Sequence, residues 1–97
     1  MIELTRESRK VLKSIYDVYL KRRKDGQSKE AAMRFTDADA ARFDGFDDAK
    51  AELKNAGFIK LFIYGDFDLT DKTIIFMENF TKDSILKWLE FGSQFIP

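Results

Sequence analysis

Carboxylates are the most numerous chemistry-bearing groups of this chain, and they fall into three clusters: Asp37 with Asp39; Asp44 with Asp47 and Asp48; and a looser set of Asp66, Asp68 and Asp71. Closely spaced carboxylates can hold a hard cation or move protons. A calcium loop, however, turns on a glycine at its sixth position, where Arg42 stands when the count starts at Asp37 and Asp71 when it starts at Asp66. With no His and no Cys in the chain, the commonest general base, the commonest metal ligand and the thiolate nucleophile are missing. There is no glycine-rich phosphate loop and no serine in a nucleophile-elbow pattern. We therefore read the chain as a non-enzyme with no catalytic residues, no metal and no cofactor. Capping, helix dipoles and solubility account for the acids, those of the Asp44–Asp48 cluster included.

The cations have a pattern of their own. Seventeen basic residues balance seventeen acidic ones, so no global field draws the protein to a polyanion or a membrane. Residues 1–25 nevertheless carry eight Lys or Arg against four acids. At about 3.6 residues per turn, Arg6, Lys10, Lys13, Asp17, Lys21 and Lys24 fall on one face of a helix, opposite an apolar stripe of Val11, Leu12, Ile15, Val18 and Tyr19. That ridge is one candidate for phosphate contact, and a solvated face with cations at the helix C-terminus is the plainer explanation.

Positioning these groups requires a core, which 97 residues with 44 % hydrophobic content can build once but not twice. We expect one domain over 1–97. Thr5 caps a first helix over 5–24 that stops at Asp25-Gly26, and residues 28–43 read as two short helices capped by Ser28 and by the capping-box sequence Thr36-Asp37-Ala38-Asp39. A third helix over 45–56 presents Phe46, Ala49, Leu53 and Ala56 to the core and is closed by Gly57. The apolar run Phe58 to Tyr64, the turn signal Gly65-Asp66 and the segment Phe67-Asp68-Leu69 make a hairpin over 58–69. Over 71–79 two rules conflict, because β-branched residues favour a strand while Thr70-Asp71-Lys72 looks like a helix start. Thr81 caps a last helix over 82–95 that runs through Gly92. No apolar stretch reaches the roughly 18 residues of a membrane span and no export signal is visible, so a cytoplasmic protein with no membrane partner is expected.

Asn55-Ala56-Gly57-Phe58-Ile59, the hairpin, and Leu69-Thr70-Asp71-Lys72 following the third helix resemble a winged helix-turn-helix domain, and the segments 47–59 and 67–72 are similar to those of YjcQ-type small winged-helix proteins of Gram-positive bacteria. The resemblance implies a mainly α fold with a short β-hairpin (α+β) and an additional C-terminal helix, with 71–79 helical. It also implies a nucleic-acid-binding module, a small transcriptional regulator meeting double-stranded DNA through its third helix and hairpin. The residues for that role are Arg6, Lys10, Lys13, Lys21 and Lys24 on the first helix, with Lys50, Lys54 and Asn55 on the third. Against it, Asp44, Asp47 and Asp48 would repel phosphate at the start of the third helix, and the hairpin tip Tyr64-Gly65-Asp66 has no base. The alternative is a protein-interaction or assembly module that kept the fold and does not use the third helix on DNA. The last helix is apolar over more than half its circumference, wider than the stripe of about 100° that one packed side needs. Either it lies in a groove of its own domain, or Trp88, Phe91 and Phe95 meet the same helix of a second copy in a homodimer.

Overall fold

The structure, a computed structural model, describes residues 4–92. Its elements run α1 (Arg6–Lys24), α2 (Lys29–Ala32), β1 (Arg34–Phe35), α3 (Asp37–Ala40), α4 (Phe46–Asn55), β2 (Ile59–Leu61), β3 (Phe67–Leu69), α5 (Asp71–Glu78) and α6 (Lys82–Phe91). This is a mainly α, α+β chain with a short hairpin and a C-terminal helix, as the sequence leads one to expect.

Local capping sets most of the helix starts. Thr5, Ser28, Thr36, Thr70 and Thr81 each accept a hydrogen bond from the backbone N–H three residues on, which satisfies a donor that would otherwise have no partner. Thr36 and Asp39 complete a reciprocal capping box. The conflict over 71–79 is resolved for helix, because Thr73 is fully buried and its hydroxyl donates to the Phe58 carbonyl at 2.5 Å. That bond ties the first turn of α5 to the hairpin, and β propensity is too weak to compete.

Two expectations need correction. The region 28–43 is not simply two helices: Arg34–Phe35 form a strand between them, pairing antiparallel with β3 in a sheet of order β1-β3-β2. Two residues cannot display a period, so only the partners Phe67 and Asp68 reveal the strand. The last helix does not run through Gly92, which adopts φ +75° and ends α6 as its C-cap. Phe95 and Ile96 lie outside the described residues.

The core forms where the first and third predicted helices meet. Val11, Leu12, Ile15 and Tyr19 of α1 and Phe46, Ala49 and Leu53 of α4, with Ala56 just beyond it, are all buried. Glu52 bonds α4 to the start of α1, accepting from the Thr5 N–H at 2.5 Å and the Ser8 hydroxyl at 3.1 Å. The sheet joins through stacked rings, Phe67 lying 4.8 Å from Phe35 and 4.7 Å from Phe46. A second aromatic group, Phe58, Phe76, Phe80 and Trp88, seats α5 and α6 with centroid spacings of 5.1–5.5 Å.

Candidate interaction cleft

Helix α4 begins without a side-chain cap: its N-cap is Gly45 at φ +80°, and no side chain bonds the first-turn N–H groups. Asp44 therefore does not cap it, contrary to the capping part of the explanation offered for this cluster. Asp47 and Asp48 stand exposed in the first turn, favoured by the helix dipole alone. Lys50 lies 3.5 Å from Asp47, an exposed pair of little energetic weight.

Facing this helix start is the hairpin, which a polar contact ties to α3. The Asp66 carboxylate accepts from the Asp37 N–H at 2.9 Å, so the loop after β2 supplies an acceptor to the first turn of α3. Gly65 makes the approach possible. It has φ +88°, and a Cβ there would press into the Asp37 side chain. Asp39, one turn along, accepts from the Thr36 N–H at 3.0 Å and from the Arg22 guanidinium at 3.2 Å, which lowers its pKa against the opposing effect of burial. The same guanidinium donates to the Arg34 carbonyl and lies 4.3 Å over the Phe35 ring.

Between these walls is a cleft of about 690 Å³. Asp37, Asp44, Asp47 and Asp48 line it, with Lys50 as the one base among its lining residues. Its hairpin wall ends in three successive apolar side chains exposed to solvent, Phe62 at 44 %, Ile63 at 94 % and Tyr64 at 87 %. The cleft can attract a cation and offer it an apolar contact at the same time. It cannot hold an anion without repulsion.

The predicted phosphate-contacting set is not gathered into one place. Lys50 lines the cleft, whereas Lys13 lines a different cavity, formed by α1, α5 and α6, and is paired with Asp17 at 2.6 Å. Arg6 bonds both carboxylate oxygens of Glu90, at 2.9 and 3.0 Å, and so joins α1 to α6. Lys10, Lys21 and Lys24 are exposed on α1, and Lys54 and Asn55 are exposed at the end of α4.

The candidate dimer residues separate as well. Trp88 does not face a partner: it is 2 % exposed, packed edge-on to Phe76 and against Phe80. Its side of α6 belongs to the home core, where Ile85 and Leu89 are also half-buried. Phe91 is 62 % exposed, and Phe95 lies outside the described residues. Sequence reading missed the role of Arg9, whose guanidinium donates to the Leu89 carbonyl near the end of α6 and to the Leu4 carbonyl. It also missed the hairpin-to-α3 contact, for which Gly65-Asp66 was a signal read only as a turn.

Among the described residues no group of three or more acidic side chains is placed to hold a metal ion, and no helix is long and apolar enough to cross a membrane. Compared with known proteins, the chain matches no family model, no curated protein and no solved structure.

Proposed function

We propose that this chain is a protein-interaction module on a winged-helix scaffold, and that the cleft between α4 and the hairpin takes a cationic, partly apolar segment of a partner protein. The observation that carries the reading is the cleft itself, four carboxylates against one lysine beside a solvent-exposed Phe62-Ile63-Tyr64 tip. A concave small-molecule site turns its apolar groups inward. Here Ile63 and Tyr64 stand outward, as suits contact with a larger surface. Charge complementarity would then steer association and set specificity, while the tip supplies the apolar anchor.

The test is a titration of the isotope-labelled chain with a synthetic amphipathic Lys/Leu peptide and, separately, with random-sequence duplex DNA. The peptide should shift amide resonances of residues 37–48 and 61–66, weaken with salt, and lose about tenfold or more in affinity when Asp47→Lys and Asp48→Lys are combined. Peptide binding unchanged by the two reversals, or duplex DNA shifting the amides of α4, would overturn the reading.

Binding of double-stranded DNA by a small regulator is the second reading, favoured by the element order. A helix-helix-strand-helix-helix-hairpin succession with strand order β1-β3-β2 supports this reading, in which α4 would take the recognition position. Lys10, Lys21, Lys24, Lys54 and Asn55 are its exposed contacts. The duplex arm of the titration decides for it.

A further inference from the structure

We propose that a second copy of this chain docks in the groove between α1, α5 and α6, forming a two-fold dimer on the side built from the chain's C-terminal helices and independent of the α4–hairpin cleft. The groove has a volume of about 670 Å³ and an apolar floor that includes Tyr16, Met77, Phe80 and Ile85. Its flanks are Leu20 on α1, 45 % exposed, and Leu86 on α6, 62 % exposed. These two leucines stand on neighbouring helices with the half-buried Phe80 and Ile85 between them, a continuous apolar surface of the kind that soluble monomers seldom leave uncovered.

Charge decides what covers it. In a two-fold contact the same patch lies on both sides, so it must complement itself. The rim of this groove carries Lys13 and Asp17 on α1, already joined at 2.6 Å, with Glu78 at the end of α5 and Lys82 at the start of α6. Glu78 and Lys82 have no ion-pair partner among the described residues. Two acids and two bases make the rim neutral, so the same rim on a second copy offers a lysine to each Glu78 and a carboxylate to each Lys82. A strongly acidic or strongly basic partner would find no net attraction here. The α4–hairpin cleft, with one sign dominant, could not pair with itself at all.

Sedimentation velocity of the full chain over a range of concentrations tests this. The wild type should pass from monomer to dimer with a dissociation constant in the micromolar range, about what a modest apolar interface supports. Leu86→Glu should shift the midpoint at least about tenfold toward monomer. Because Leu86 is exposed, the variant should keep the wild-type circular dichroism spectrum and unfolding midpoint; Leu20→Glu, on the other flank, is the independent variant should Leu86→Glu fail to fold. A wild type that stays monomeric at several hundred micromolar overturns the proposal, on the same affinity scale. So does a dimer that either folded variant leaves intact.

Discussion

Two cavities among the described residues are almost equal in size and opposite in construction. The α4–hairpin cleft, about 690 Å³, carries four carboxylates in its wall, and polar contacts beside it join segments distant in sequence: Asp66 on the Asp37 N–H, and Arg22 on Asp39. The α1–α5–α6 groove, about 670 Å³, rests on packed rings, with Phe80 tilted against the buried Trp88 at 5.1 Å. A domain of this size has one core, so a surface near that core inherits its apolar character, while a surface assembled from helix starts and a turn inherits unpaired backbone donors and the acids that answer them. The two regions should therefore respond to different perturbations: loss of aromatic volume at the groove, backbone strain and acid at the cleft.

The largest effect is expected at the aromatic end. Trp88 is 2 % exposed and touches Phe76 and Phe80, so Trp88→Ala removes one of the bulkiest buried groups and leaves a void that α6 cannot fill by sliding, since Arg9 and Arg6 hold its far end. The loss should be about 3–5 kcal/mol in urea denaturation. A loss below about 1 kcal/mol would put Trp88 at the surface and return it to a dimer contact.

A smaller effect is expected where the hairpin meets α3. Gly65→Ala places a Cβ against Asp37 at a residue with φ +88°, so either the loop retreats or the turn is strained. Such substitutions cost about 1–3 kcal/mol, and amide exchange should quicken at residues 61–67 while α6 keeps its protection. If exchange quickens equally in α6, the two regions are not separable, and the contrast in construction has no energetic counterpart.

What could be read in the sequence follows the range of the interactions. Caps act over three residues, so Thr5, Ser28, Thr36 and Thr81 were legible, and the Phe46, Ala49, Leu53 face of α4 was legible from its period. Strand β1 was not, since its two residues are defined by Phe67 and Asp68 more than thirty positions later. The breadth of the apolar surface on α6 was legible, but not its division: Trp88 turns inward because Phe76 and Phe80 wait there, and Leu86 remains outside. The acids of the cleft were visible as a cluster. That Gly45 replaces Asp44 as the N-cap, and that the hairpin closes over them, depends on tertiary contacts that no local pattern encodes.

The smallest effect is also the one that separates the two regions most directly. Asp39 has its pKa held below the ordinary carboxylate value first by the Thr36 N–H and then by Arg22, with burial working in the other direction. A carboxyl whose folded pKa is depressed contributes stability that is present above its unfolded pKa, about 3.9, and is lost as pH falls through the lower folded value. Stability should thus decline on acidification below about pH 4. Asp39→Asn keeps an oxygen for the Thr36 N–H and gives up the charge facing Arg22, so it should cost about 1–2 kcal/mol at neutral pH, a deficit that shrinks toward zero in acid. Because Asp39 joins α3 to α1 beside the cleft, and the rings of Phe76, Phe80 and Trp88 carry no ionisable group themselves, the acid response should be local at first. Amide exchange at residues 34–39 and 66–68 should rise before the fluorescence of Trp88, the sole tryptophan, changes. Coincident changes would mean that the polar contacts and the aromatic floor open as one unit, with α1, common to both, transmitting the loss of Asp39 from one cavity to the other.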